Sequence, residues 1–81
     1  MERNERGNMP KLPRITPKRL IAVLLKQRFF VDRQRGSHVI VRHPDGRSAS
    51  IPLHAHDMRL GTLKGILNDI EVGVEQLIEW M

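Results

Sequence analysis

A tight-turn signal, Pro44-Asp45-Gly46, separates two short segments with the character of β-strands. Before it stand three consecutive β-branched residues, Val39 to Val41, which favour extended backbone. After it, residues 47–53 alternate apolar with small polar side chains, as a half-buried strand does. Proline, aspartate and glycine each favour a turn for a separate backbone reason. The sequence therefore predicts an antiparallel hairpin with a fixed register, and that register decides which side chains can reach solvent.

The register sorts the side chains of this hairpin onto two faces. If the turn closes at residues 44–46, His43 lies opposite Arg47, and every second residue along each strand shares a face. One face is apolar and should lie beneath helices; it carries Val39, Val41, Ala49, Ile51 and Leu53. The opposite face is more polar and should be open to solvent; it carries His38, Ile40, Arg42, Ser48, Ser50 and Pro52. His38 and His54 then fall at one end of the sheet, and His43 at the other.

The remaining elements follow from capping residues and apolar spacing. Thr16-Pro17 is a helix start, with Ile15 and Leu20 spaced for a hydrophobic staple, and this helix should end near Gln27 or Arg28. A clear amphipathic pattern from Leu60 to Ile70 predicts the second helix. The strands should cover Phe29–Gln34, His38–His43 and Arg47–Leu53, with a turn at Gly36-Ser37, and a short third helix should follow Gly73. The expected fold is α+β, in the order α-β-β-β-α, plus a short C-terminal helix.

Length and composition place this fold in one small domain. The chain has 81 residues and no cysteine, which excludes disulfides, thiolate metal sites and a cysteine nucleophile. The longest apolar run, Leu20 to Leu25, is far shorter than the roughly 20 residues that span a bilayer. We expect residues 1–8 to be a disordered N-terminal extension, residues 9–81 to form the domain, and the protein to be cytoplasmic with no membrane partner.

The charge is basic overall and unevenly distributed. The formal net charge is +5. Between Lys11 and Arg47 there are ten Lys or Arg residues but only two acids, Asp32 and Asp45. From Asn68 to Met81 there are four acids and neither Lys nor Arg. Dense basic charge favours phosphate backbones, because binding releases their condensed counterions. The first half of the chain is therefore predicted to bind nucleic acid.

Several kinds of catalytic site are disfavoured by the motifs. No Gly-x-Ser-x-Gly elbow is present, and Ser37 and His38 are strand neighbours whose side chains point to opposite faces. No glycine-rich phosphate loop is present, so no nucleotide cofactor is expected. The set His54-x-His56-Asp57 is a loose arrangement without the spacing of established zinc motifs. We therefore expect neither a metal nor another cofactor.

One form of chemistry remains open for His38. A single histidine can take a proton from a ribose 2′-hydroxyl or give one to a leaving oxygen. Neighbouring arginines can hold the phosphate and stabilise its developing charge, and Arg33, Arg35 and Arg42 are close to His38 in the chain. RNA supplies its own nucleophile, so one base and some cations can suffice. From the residues alone, His38 is either such an acid/base or a bystander on a basic strand.

A set of short motifs resembles a known family. The segments Gly36-Ser37-His38, His43-Pro44-Asp45-Gly46, Ile51-Pro52-x-His54 and Gly61-Thr62-Leu63-x-x-Ile66-Leu67 together resemble the HicA toxins of bacterial toxin–antitoxin pairs. The resemblance runs from about residue 12 to residue 77. It departs from the family at Arg28, where the family usually has a glycine suited to a left-handed helix cap.

This resemblance implies a fold, an activity and a partner. The fold would be like a double-stranded-RNA-binding domain, with a three-stranded antiparallel sheet and the helices on one face. The activity would be that of a type II toxin, a ribosome-independent mRNA endoribonuclease that inhibits translation, with His38 as catalytic acid/base. Gly36 and Ser37 would form its supporting turn, and a HicB-like antitoxin would cover that surface. Phosphate contacts are expected from Arg33, Arg35, Arg42 and, less directly, Lys64; His54 is a possible assisting residue.

Two alternatives remain. The same fold could be a non-catalytic RNA-binding module, because fold does not determine function. The acidic and apolar tail from Val72 to Met81, with the lone Trp80, could dock a protein partner, although completion of the core is the preferred interpretation.

Overall fold

The computed structural model describes residues 11–54 and 58–81 and contains the predicted succession of elements. Each element end lies within about one residue of its predicted position, which is the ordinary uncertainty of such boundaries. The α+β order and the short C-terminal helix are confirmed. The elements are α1 (Pro17–Lys26), β1 (Phe30–Arg35), β2 (His38–Arg42), β3 (Ser48–Pro52), α2 (Leu60–Asp69) and α3 (Val74–Trp80).

The three strands form one antiparallel sheet in the order β1-β2-β3. In the second hairpin Val39 pairs with Ile51 and Val41 pairs with Ala49, which is the predicted register. These four side chains are buried, whereas His38 and Ser50 are exposed. The helices lie on the face that carries the buried residues, so the face that carries His38 is open to solvent.

The hydrophobic core lies between the sheet and the helices. All strongly buried side chains among the described residues are apolar, and no polar or charged side chain is buried with them. Burial of this kind stabilises a fold by about 25 cal/mol for each Å² of apolar surface removed from water. The core consists of Ile15, Leu20, Val23, Leu24, Phe29, Val39, Val41, Ala49, Ile51, Met58, Leu63, Ile66, Leu67, Ile70, Val72 and Leu77.

Helix α1 begins as its capping residues predict. The Thr16 side-chain oxygen accepts a hydrogen bond from the Arg19 backbone N–H at 3.1 Å, which satisfies one of the free donors at the helix start. Pro17 occupies the first helical position, where its missing N–H costs nothing. Ile15 and Leu20 are both buried, as a hydrophobic staple requires.

Helices α1 and α2 each end with a left-handed residue that is not glycine. Arg28 has φ +73° after α1, and Glu71 has φ +58° after α2. In both cases the next residue, Phe29 or Val72, donates its N–H back to a carbonyl five residues earlier, as in a Schellman cap. Arg28 therefore takes the conformation that glycine would take more easily, and the predicted end of the helix is kept at some cost in backbone strain.

The C-terminal segment contributes to the core. Leu77 of α3 is fully buried, and Trp80 is partly buried against the same cluster. This confirms the preferred interpretation of the tail. Ile78 and Met81 stay largely exposed.

Some predictions concern residues that the structure does not describe. The proposed disordered extension, residues 1–8, lies outside the described ranges, as do His56 and Asp57 of the histidine-rich segment. No helix within residues 11–54 and 58–81 is long and apolar enough to cross a membrane.

Candidate active site on the open face of the sheet

A β-bulge at Asp32 determines which face the arginines of β1 occupy. Before the bulge Val31 pairs with Val41; after it Arg33 pairs with Ile40 and Arg35 with His38. The extra residue shifts the alternation of side chains by one position. Arg33 and Arg35 are thereby placed on the solvent face with His38, and not on the core face with Val41.

The bulge was not predicted, although the sequence contains a sign of it. In an unbroken strand, residues 29, 31, 33 and 35 would share one face. That would place Phe29, which belongs to the core, on the same side as two arginines. Phe29 belongs with the core whereas the arginines belong with solvent, so this conflict indicates that the alternation slips somewhere within residues 29–35.

The carboxylate of Asp32 lies between two arginines of this face. Its Oδ2 is 3.5 Å from an Arg42 guanidinium nitrogen and 4.0 Å from Nε of Arg33. Such exposed ion pairs contribute little to stability. They do bring two guanidinium groups together, and three arginines against one aspartate leave the face with a local charge of +2. The open face as a whole therefore carries an excess of positive charge, which attracts phosphate groups.

The turn before His38 is held by the conformation of its glycine and by hydrogen bonds to both of its carbonyl groups. Gly36 has φ +58°, in the left-handed region that favours glycine at the first position of a two-residue hairpin loop. The Gln34 side-chain amide donates to the Gly36 carbonyl at 3.0 Å. The Leu53 N–H donates to the Ser37 carbonyl at 2.7 Å. Gly36 and Ser37 thus form the turn that precedes His38, as expected, and its support of a catalytic His38 stays a prediction.

His38 begins β2, with a different neighbour on each side. Across the sheet its partners are Arg35 on β1 and Pro52 on β3. The ring of His54, just beyond β3, lies with its centroid 6.2 Å from that of His38 and inclined by 66°. Both side chains are exposed. The structure therefore brings together two histidines and Arg35 at one end of the sheet, with Arg33 and Arg42 further along the same face.

His43 lies at the other end, in a set of contacts that hold the structure together. Its ring packs edge-on against Phe29, with centroids 4.9 Å apart. Its Nδ1 is 3.1 Å from the Asp45 backbone nitrogen and 3.1 Å from Oδ2 of Asp45. A neutral Nδ1 accepts from that N–H, whereas a protonated Nδ1 donates to the carboxylate. His43 is mostly covered and is not part of the open face.

Arg47 connects this end of the sheet to helix α2. Its guanidinium donates to the Ile70 carbonyl at 2.7 Å and to Oδ2 of Asp45 at 2.8 Å, and it lies over the Phe29 ring at 5.4 Å. The Arg47 backbone N–H, and then its guanidinium, hold the pKa of Asp45 below its ordinary value of 3.8. The turn at residues 43–47 is therefore anchored to the end of α2.

Lys64 is not on the open face. It lies on the exposed side of α2, in the helical layer, because Leu63 and Leu67 of that helix face the core. RNA bound on the open face would have to pass around the edge of the domain to contact Lys64. The phosphate-binding role of Lys64 stays a prediction.

A comparison with known families matches residues 17–72 to the HicA toxin of bacterial toxin–antitoxin pairs. This range runs from the first residue of α1 to Val72, just after α2. It includes the Asp32 bulge, the histidines at both ends of the sheet and the contacts of Arg47. A search among curated proteins gave no match. The family match spans well over half of the 81 residues. The chain therefore belongs to the HicA toxin family and is the toxin of a toxin–antitoxin pair, for which an antitoxin is the partner.

Proposed function

We propose that this toxin is an endoribonuclease that cleaves mRNA without the ribosome and so inhibits translation. The observation that carries the proposal is the open end of the sheet, where an exposed imidazole lies opposite Arg35. In this proposal His38 is the catalytic acid/base and the arginines bind the phosphodiester.

The proposed cleavage uses the 2′-hydroxyl of the RNA, an imidazole and the guanidinium groups of the open face. The 2′-hydroxyl oxygen of RNA attacks the adjacent phosphorus, and the bond from phosphorus to the 5′-oxygen breaks. An imidazole can accept the proton of the attacking hydroxyl or donate one to the leaving oxygen. Guanidinium groups form charge-assisted hydrogen bonds with the phosphate oxygens as negative charge develops on them. The products would be a 2′,3′-cyclic phosphate and a 5′-hydroxyl.

The direct test compares the wild-type chain with His38→Ala on a single-stranded transcript. Loss of an acid/base group typically slows such a reaction by about 100- to 10,000-fold. We expect fragments with 5′-hydroxyl ends from the wild type and almost none from the variant. Equal cleavage by both proteins would contradict the role of His38. Salt-sensitive binding by the wild type with no products at long times would instead favour the non-catalytic RNA-binding module.

We also propose that the antitoxin is HicB-like and covers the open face. An antitoxin that carries acidic groups would complement a face on which three arginines accompany His38. Coexpression with the neighbouring reading frame tests this. A complex that dissociates more readily when Arg35 and Arg42 are changed to Ala would support the proposal. Undiminished complex formation by that double variant would place the antitoxin elsewhere.

A further inference from the structure

Two histidines stand together at one end of the sheet, and the proposed function uses only one. The ring centroids of His38 and His54 are 6.2 Å apart, and both rings reach solvent. The strand ends that carry them are tied by the hydrogen bond from Leu53 N–H to the Ser37 carbonyl, at 2.7 Å. Each histidine directly follows one of these two residues. Their separation is therefore set by a backbone contact and not only by two exposed side chains.

RNA cleavage by the 2′-hydroxyl requires two proton transfers at two different oxygens. One proton leaves the attacking 2′-oxygen, and another must reach the departing 5′-oxygen. A side chain that transfers a proton has to come within roughly 3 Å of its oxygen. The two oxygens lie on opposite sides of the phosphorus, so a single imidazole is poorly placed to serve both at once. Two imidazoles about one phosphodiester apart can serve one oxygen each.

We propose that His38 and His54 divide the two proton transfers between them, an inference that rests on the proposed endoribonuclease function. One neutral imidazole takes the proton from the 2′-hydroxyl as the bond from oxygen to phosphorus forms. The other, protonated, gives its proton to the 5′-oxygen as the bond from phosphorus to that oxygen breaks. The two rings exchange protonation states, and the proton count balances. His54 is then a second catalytic residue that touches the reacting atoms.

The other groups near His38 and His54 are consistent with this division of the two proton transfers. Arg35 pairs with His38 across the strands, so a cation stands beside the histidine pair. A phosphate held there would present its non-bridging oxygens to the guanidinium and its ester oxygens to the rings. His43 is ruled out as the second group because it lies at the far end of β2, packed on Phe29.

An RNA whose leaving group needs no proton tests this division of roles. An RNA is made with sulfur in place of the 5′-oxygen at a cleavage site that the wild-type chain uses. Because a thiolate leaves without protonation, loss of the general acid should no longer matter on this substrate, whereas loss of the general base still should. The proteins are wild type, His38→Ala and His54→Ala, with His43→Ala as the control that removes an imidazole at the other end of the sheet.

The division of roles predicts a specific pattern. On ordinary RNA, His38→Ala and His54→Ala should each lose about 100-fold or more. On the sulfur substrate, one of these two variants and not the other should return to within about tenfold of wild type, and the rescued residue is the general acid. His43→Ala should be unaffected by the sulfur beyond the change seen in wild type.

The pH dependence gives a readout that a structural role would not change. Wild type should show a bell-shaped rate profile, because one imidazole must be neutral and the other protonated. The variant that sulfur rescues should keep the rise with pH and lose the fall at high pH. Unchanged thermal melting of His54→Ala would exclude misfolding as the cause of its rate loss.

Failure of this inference can be told apart from failure of the proposed function. Wild type that cleaves RNA, beside a His54→Ala variant within about threefold of it, overturns the second catalytic residue alone. Sulfur rescue of neither variant, or of both, overturns the division of roles. Wild type that cleaves no RNA at all overturns both proposals.

Discussion

At one end of the sheet, His43 packs against Phe29, contacts Asp45 and lies beside an arginine bonded to the end of α2. At the other end, His38 and Arg35 lie opposite each other on adjacent strands and reach into solvent. Both ends therefore combine histidine with arginine. At the closed end, the Arg47 guanidinium donates hydrogen bonds within the fold to Asp45 and to the Ile70 carbonyl; at the open end, the strand pairing presents His38 and Arg35 outward.

The difference lies in what surrounds each pair. The closed end has an aromatic ring and a helix terminus within reach, so its polar groups serve to join β2, β3 and α2. The open end has a glycine turn, and the Asp32 bulge further along β1 places Arg33 and Arg35 on the same face as His38. The same residue types thus support stability where the fold covers them and stay exposed to solvent where it does not.

The largest difference in stability should come from changing one arginine at each end. Arg47→Ala leaves the Ile70 carbonyl without its charged donor, and we expect a loss of about 1 to 3 kcal/mol in the free energy of unfolding. Arg35→Ala, on an exposed strand, should change it by less than about 0.5 kcal/mol. Urea unfolding of both variants measures this. A comparable loss in both would contradict the distinction between the ends.

The open face should account for RNA binding. In a His38→Ala background that prevents cleavage, each phosphate contact removed should reduce the slope of log affinity against log salt by about 0.7. We expect this for Arg33→Ala and Arg42→Ala. Lys26→Ala, in the last turn of α1, is the matched control and should change the slope little. Equal effects at Lys26 would mean that the RNA is not confined to the open face, and Lys64→Ala would show whether it reaches α2.

Replacing Arg28, the left-handed residue before Phe29, should give a smaller change in stability, and in this case a gain, at the closed end. Arg28→Gly removes the strain of φ +73° and should raise the free energy of unfolding by up to about 1 kcal/mol, because only part of the gain is lost to the greater freedom of the unfolded chain. Glu71→Gly, at φ +58°, should act in the same direction. RNA cleavage per folded molecule should not change. Destabilisation by either glycine would show that Arg28 or Glu71 makes a contact worth more than the strain.

The smallest expected effect is on the pH dependence of stability in acid, through Asp45 at the closed end. The pKa of Asp45 is lowered from 3.8 by Arg47, first through its backbone N–H. A carboxylate with a lowered folded-state pKa stabilises the fold above its ordinary pKa, and this contribution is lost as the pH falls through the folded-state value. The stability gap between wild type and Asp45→Asn should therefore narrow below pH 3.8. A gap that is the same from about pH 6 to about pH 2.5 would contradict this role of the charge.

The faces of the second hairpin could be predicted because their determinants are local. Pro44-Asp45-Gly46 sets the turn, and the turn sets the pairing of Val41 with Ala49. From that register alone, His38 falls on the open face, and His54 falls at its end of the sheet. The start of α1 and the core stripe of α2 also follow from side chains a few residues apart.

Other features depend on residues distant in the sequence. The Arg47–Ile70 hydrogen bond joins groups 23 residues apart, and no local pattern indicates it. The left-handed conformation of Arg28 is imposed by the return of Phe29 to the core, against the preference of its own side chain. The Asp32 bulge is intermediate, because a conflict in the alternation of residues 29–35 points to it but does not locate it.

We propose that His38, at the start of β2, and His43, just after its end, have different roles, and one paired measurement tests this most directly. His38→Ala and His43→Ala are compared with wild type for RNA cleavage per folded molecule and for thermal unfolding. We predict that His38→Ala loses about 100-fold or more in cleavage and melts like wild type, whereas His43→Ala melts earlier and, while folded, cleaves within a few-fold of wild type. The opposite result, in which His43→Ala loses cleavage and His38→Ala retains it, would contradict these roles.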